Sequence, residues 1–150
     1  RDRSPSRGLG DVYKRQVVSI DLGPQPERLA LWAGLPPAMS ACIEERRGDS
    51  LAIMRQALAA GESYEAALLD SLHTAEHVWA EFELAAQLVC SGGLILIHDA
   101  QLAIATVDQA LRQIEAAGYG VTRLWMADAG VRVDDNLGLA VIENRRRPTG

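Results

Sequence analysis

Hydrophobic and polar positions change period several times along the chain, and each change marks an element. Val17-Val18-Ser19-Ile20-Asp21-Leu22 is a short β-branched run closing on an acid, and Gly23-Pro24 stops it, which predicts a strand. Glu27 to Gly34 has helix-favouring composition and a glycine stop, and Pro36-Pro37 then breaks the chain. Met39 to Ile43 reads as a strand. Gly48-Asp49-Ser50 makes a turn. Ser50 or Asp49 can cap a helix whose apolar Leu51, Met54, Ala57 and Leu58 share a face, and Gly61 ends it.

The middle of the chain is the most strongly patterned. Tyr64 to Leu69 is a strand too uniformly apolar at Ala66-Ala67-Leu68-Leu69 for an exposed sheet face, so a central, parallel position is expected. From Thr74 or Ala75 the period becomes helical, with Val78, Phe82, Ala85 and Val89 on one face. Ser91-Gly92-Gly93 supplies a left-handed helix stop and a tight turn into Leu94-Ile95-Leu96-Ile97, a strand expected to be buried on both faces. A second amphipathic helix carries Ile104, Val107, Leu111 and Ile114 and stops at Gly118. Val121 to Met126 reads as a strand, Ala127 to Asp135 as a polar turn region, and Leu137 to Glu143 as the last strand. Strands alternating with helices predict βαβ units with right-handed crossovers.

Composition narrows this picture. With 150 residues, 48% of them apolar, the chain can bury one core. No apolar run approaches the ~20 residues that span a bilayer, and the first residues lack the apolar core of a secretion signal, so a cytoplasmic location with no membrane partner is expected. Cys42 and Cys90 stand alone on apolar segments and read as reduced core residues, matching no zinc spacing. The net charge of -5 argues against a nucleic-acid partner. Residues 1–16 run against that balance, carrying a net +3, and Arg145-Arg146-Arg147 opens a short basic tail over 145–150.

The head from Arg1 to Gln16 is Ser-, Arg- and Gly-rich and by composition cannot pack into a core. Asp11-Val12-Tyr13-Lys14-Arg15-Gln16 looks like the translation of the transposon end carried by sequencing-library adapters. On that reading residues 1–16 are a disordered cloning scar and the natural gene continues upstream of Val17. Residues 17–144 are then the portion with fold content.

Candidate chemistry gathers where strands end. In an open α/β sheet, ligands sit outside the carboxyl ends of the strands, where Asp70, His73, His98 and Asp99 fall. Asp21 also ends a strand, where an acid commonly binds a ribose in nucleotide-binding sheets. His98 reads as a packing or hydrogen-bonding residue, His77 as a surface residue, and Trp32, Trp79 and Trp125 as core or rim.

Taken in order, the strand ending at Asp21, the turn Gly48 to Ser50, Leu68-Leu69-Asp70-x-x-His73, Gly92-Gly93 to His98-Asp99 and the closing Gly138 to Glu143 resemble a class I S-adenosylmethionine-dependent methyltransferase. Within that fold they look most like the metal-dependent O-methyltransferases of the macrocin and cephalosporin-hydroxylase type. The resemblance implies an α/β, Rossmann-like, doubly wound and mostly parallel sheet lacking its first strand, with the Gly-rich cofactor loop also upstream of Val17. It implies S-adenosylmethionine as cofactor, with Asp21 on the ribose hydroxyls, Asp49 facing the adenine amino group, Ser50 beside it and Asp70 also on the cofactor side. Asp70 and Asp99 would hold a divalent ion such as Mg²⁺, and His73 would be the general base. Adjacent strands lie ~4.8 Å apart, so two strand-end carboxylates can converge on one hard cation. The family usually has Gly-Asp or Gly-Ser before that histidine, where this chain has Ser71-Leu72.

The expected function is therefore methyl transfer to a hydroxyl of a small molecule, with this piece itself inactive and binding cofactor poorly. Two alternatives stay open: another Rossmann-like nucleotide-binding enzyme, or a non-catalytic methyltransferase-like scaffold. Whether a metal is bound, and whether the protein is a homo-oligomer, is left open as well.

Overall fold

The computed structural model describes residues 16–100, 106–124 and 138–145. They form two compact units, one up to Ile53 and one from Met54 onward.

The first unit is built on β1 (Val17–Asp21) and β2 (Ile43–Arg47), paired in parallel with Val17 opposite Ile43 and Asp21 opposite Arg47. Between them lie α1 (Pro26–Ala33) and α2 (Pro37–Ser40). Both helices start on a proline, whose fixed φ suits a first helical turn and whose missing N–H is no loss there. The strand expected over Met39 to Ile43 is thus corrected: Met39 lies in α2, and the strand starts at Ile43. β2 reads Ile-Glu-Glu-Arg-Arg and lacks the apolar signature of a strand. Its charges neutralise one another at i, i+2 on each face, Arg46 with Glu44 at 2.8 Å and Arg47 with Glu45 at 3.0 Å. Gly48 (φ +145) then turns the chain, its N–H donating to the Asp21 carbonyl at 2.9 Å. In α3 (Ser50–Ala59), Asp49 is the cap: its Oδ1 accepts from the Ala52 N–H at 2.8 Å.

The second unit is a four-stranded sheet in the order β3 (Tyr64–Leu69), β4 (Val89–His98), β6 (Leu139–Glu143), β5 (Val121–Leu124). β3 and β4 are parallel, and β6 runs antiparallel to both its neighbours. The crossover from β3 to β4 is α4 (Ala75–Leu88), and α5 (Val107–Ala116) leads to β5. Together with the parallel β1–β2 pair, this alternation of helix and strand is the α/β, Rossmann-like arrangement expected from the pattern.

The helix-periodic residues Val78, Phe82, Ala85 and Val89 are all buried, as are Val107, Leu111 and Ile114 of α5. On the sheet, Leu69, Ile95, Ile97, Ala140 and Ile142 form the covered face. Burying each of the larger side chains contributes roughly 1.5–3 kcal/mol. Phe82 also packs edge-on against Tyr119, with ring centroids 4.9 Å apart.

Several expectations change here. β3 is the first strand of its sheet rather than a central one, and Leu68 and Leu94 point outward at 62% and 43% exposure. The helices cover one face, so β3 and β4 alternate between buried and open positions instead of being buried on both sides. α4 ends at Leu88 without a glycine, because Val89 is already extended and opens β4. Gly92 does take a positive φ (+81), but within the strand. Gly93 has no room for a side chain: a Cβ there would lie 2.5 Å from the Glu65 carbonyl oxygen. Both cysteines are free, as expected, but neither is buried, and Cys90 is exposed. Ile104, Trp125, Met126, the turn over Ala127 to Asp135, Leu137, the head over residues 1–15 and the tail beyond Arg145 lie outside the described residues. Among the described residues, no helix is long and apolar enough to cross a membrane.

Candidate active site

Asp70 follows the last residue of β3, and His98 ends β4 one rung beyond the Leu69–Ile97 pair. Parallel pairing therefore delivers both residues to the same end of the sheet. Successive strand residues point to opposite faces, so His98 and Asp99 should diverge. They do not, because Asp99 takes the left-handed conformation (φ 52), the sole positive φ at a non-glycine position among the described residues. That twist turns its carboxylate back to 3.0 Å from His98 Nδ1.

His73 reaches the same place from the stretch between β3 and α4. Its Nε2 lies 3.3 Å from Asp99 Oδ2 and 3.6 Å from Asp70 Oδ1. The helix start behind it is fixed by Thr74, whose Oγ1 accepts from the His77 N–H at 3.3 Å, and by Thr106, whose Oγ1 accepts from the Ala75 N–H at 2.6 Å. One ligand atom each from Asp70, His73 and Asp99 lies within 4.8 Å of the others. Asp99 is the shielded member, its side chain 14% exposed against 52% for Asp70. His73 Nε2, His98 Nδ1 and Asp99 Oδ1 are cut off from solvent without an aligned hydrogen-bond partner.

The structure thus brings together Asp70, His73 and Asp99. His98, read from the sequence as a packing or hydrogen-bonding residue, stands beside them, its Nδ1 also 3.4 Å from Asp70 Oδ1. His77 is not the surface residue expected: it is largely covered, with Nε2 3.3 Å from the buried Glu81 carboxylate. Leu72, the departure from the family pattern, is exposed.

Asp21, Asp49 and Ser50 belong to the first unit. There Asp21 and the Gly48-Asp49 turn share the carboxyl end of the β1–β2 pair. Asp21 Oδ1 accepts from the Gly23 N–H at 3.3 Å, and Oδ2 pairs with Arg28 at 3.2 Å. The Gly23 amide, with Gln25 and Arg28, holds the Asp21 carboxyl below its ordinary value and so keeps it an anionic acceptor. Arg28 in turn lies over the Trp32 ring at 5.0 Å. In the second unit, a groove of about 410 Å³ lined by Leu94, Tyr119, Val121 and Val141 sits at the amino end of β4, away from the His and Asp cluster.

The chain matches the family described as a methyltransferase domain over residues 5–100, nearly two thirds of its length, and it belongs to that family. The matched span contains the Asp21 and Asp49 strand ends as well as Asp70, His73, His98 and Asp99. It begins inside the head read above as a cloning scar. In sequence, no curated protein matches the chain.

Among solved structures, the chain resembles cofactor-bound Rv0187 from MTB, with a TM-score of 0.63 and 19% identity over 88% of this chain and 62% of that one. It also resembles the O-methyltransferase TomG from Streptomyces achromogenes in complex with SAM (0.63, 16%, 87% of this chain and 62% of that one). A third is the N-methyltransferase NodS from Bradyrhizobium japonicum WM9 in complex with S-adenosyl-L-homocysteine (0.63, 15%, 87% and 67%). These likenesses establish the fold. The chain spans 62% of the length of the first of these structures.

Proposed function

We propose that this chain carries the site of an S-adenosylmethionine-dependent methyltransferase acting on a hydroxyl group of a small molecule. One observation carries the reading: two carboxylates and an imidazole from neighbouring parallel strands and the turn between them converge within 4.8 Å at the ligand-binding edge of a methyltransferase-family sheet. Structural neighbours solved in complex with SAM and with S-adenosyl-L-homocysteine support the choice of cofactor. Both O- and N-methyltransferases appear among those neighbours, so the hydroxyl rests on the site chemistry instead.

Asp21 would accept hydrogen bonds from the ribose hydroxyls. A carboxylate has about four acceptor positions, leaving capacity beyond Gly23, Gln25 and Arg28. Asp49 keeps a second oxygen for the adenine amino group while Oδ1 caps α3, with Ser50 beside it. In the second unit, Asp70 is the residue that the family resemblance also assigns to the cofactor.

The donor set fits a divalent cation such as Mg²⁺: Asp99 Oδ1 is buried and unpartnered, and Asp70 adds a second hard oxygen within reach. A cation held by Asp70 and Asp99 would polarise the substrate hydroxyl and lower its pKa. His73 Nε2 takes the hydroxyl proton. S-adenosylmethionine, when bound, would supply the methyl group to that oxygen, giving a methyl ether and S-adenosylhomocysteine. A general base in such a step typically contributes 10²–10⁴-fold.

The test uses the full reading frame that encodes this chain and methyl-labelled S-adenosylmethionine with a panel of hydroxyl acceptors. His73→Ala is expected to cut turnover by about 10²–10⁴-fold, and Asp70→Asn to cut it strongly as well. Unchanged turnover in both variants removes the site assignment. Calorimetric binding of NAD in place of S-adenosylhomocysteine removes methyl transfer itself.

A further inference from the structure

The Asp21 carboxylate, the acid assigned above to the ribose, is already partly committed to protein partners. Oδ1 accepts from the Gly23 N–H at 3.3 Å and is reached by the exposed Gln25 amide at 3.5 Å. Each carboxylate oxygen offers about two acceptor positions, so Oδ2 is the oxygen with room for a ligand. Among the described residues its partner is Arg28, with Nη2 at 3.2 Å. The same guanidinium lies over the Trp32 ring, 5.0 Å from the centroid. Arg28 Nε and Nη2 are shielded from solvent without an aligned acceptor, so the contact with Asp21 acts through charge.

Two features indicate that this arrangement serves Asp21 rather than the helix. Arg28 stands in the first turn of α1, where the macrodipole favours acids, so a cation there gains nothing from the helix itself. α1 also buries none of its side chains, so no core draws Arg28 inward.

We propose that Arg28 is a positioning residue for cofactor binding: it fixes the Asp21 carboxylate so that Oδ2 meets the vicinal diol of a ribose, and so strengthens the preference for a sugar that carries that diol. The inference rests on the Asp21 reading above and names the residue that orients that acid. A carboxylate free to turn gives up that freedom when a diol binds, whereas one held at both oxygens has already lost it. Hydrogen bonds to a charged acceptor are also strong only when aligned. Arginine suits the task because its planar fork can face an indole ring and reach a carboxylate together, which a lysine ammonium combines less well.

The experiment uses the full reading frame that encodes this chain and measures calorimetric binding of two probes, S-adenosylhomocysteine and its 2′,3′-dideoxy analogue. Wild type is expected to prefer the probe with the diol. Arg28→Met, which keeps an unbranched stem near Trp32, should weaken S-adenosylhomocysteine about two- to fivefold and leave the dideoxy analogue unchanged. Arg28→Lys should recover part of that loss. In an Asp21→Asn background, Arg28→Met should cost nothing further. Far-ultraviolet circular dichroism checks that each variant folds.

Equal weakening of both probes by Arg28→Met marks a merely structural residue and overturns the proposal. Unchanged or tighter binding of S-adenosylhomocysteine, or losses that add to those of Asp21→Asn, overturn it as well and leave Asp21 on the ribose. The reading beneath fails differently: if Asp21→Asn keeps the full preference for the diol, the ribose is held elsewhere and Arg28 has no carboxylate to position. Binding of neither probe by wild type removes the cofactor and the proposal together.

Discussion

The two ends of β4 are built on opposite principles. At the amino end, backbone and side chain close on each other. Asn144, fully buried, donates through Nδ2 to the Ala86 carbonyl at 3.0 Å and the Val89 carbonyl at 2.7 Å. Its own carbonyl accepts from Gly92 and its N–H donates to Gly93, each at 2.8 Å. One residue thus ties the last turn of α4, the start of β4 and the end of β6 together; its Oδ1 alone is left without a partner. At the carboxyl end, four chemically active side chains crowd together with several buried atoms unpaired and a non-glycine residue in a left-handed conformation. Hydrogen bonds are completed where the sheet must hold and left incomplete where a ligand would complete them.

This contrast breaks most visibly at Asn144. Asn144→Ala removes both side-chain bonds and strands two buried carbonyls, for an expected loss of about 2–4 kcal/mol and a fall in Tm of about 5–15 °C. A melt within a degree of wild type would mean that the α4–β4 junction holds without it. The opposite end predicts the opposite sign. Asp99→Gly relieves the left-handed backbone and the crowded carboxylate, so the melt should stay level or rise by the equivalent of up to about 1 kcal/mol. A clear drop in Tm would show that the cluster contributes to stability.

The smallest effect is at the α5–β5 contact, where Arg123 pairs with Glu115 at 2.5 Å. The Arg123 guanidinium holds the Glu115 carboxyl below its ordinary value of 4.5. A lowered folded-state pKa stabilises above the unfolded value and is lost as pH falls through the folded one. Wild type should therefore melt slightly above Glu115→Gln at pH 7, with the gap closing as the solution is acidified below about pH 4.5. A gap that widens in acid would reverse the sign and refute the pairing.

Much of this was legible in the chain. The run of buried positions through α4 and the strand-end location of Asp70 and Asp99 follow from period and from the geometry of open α/β sheets, which are local properties. β2 was missed because its polarity is neutralised by its own i, i+2 ion pairs, leaving no apolar alternation to read. The closeness of His98 to Asp99 was not readable, because it depends on a positive φ at Asp99, which has no sequence signature. Asn144 has no local sequence signal. Its role depends on carbonyls more than fifty positions earlier. The open faces of β3 and β4 were unreadable for the same reason, since burial depends on which elements arrive to cover a strand.

The described tryptophans are divided between the units. Trp32 lies under the Arg28 guanidinium in the first, and Trp79 packs near Phe82 in the second, with ring centroids 5.8 Å apart. Indole emission responds to its immediate surroundings, so replacing either tryptophan with phenylalanine leaves a chain whose fluorescence is weighted toward the other half. Denaturant titrations of such a pair would reveal whether the halves melt as one cooperative body or in succession.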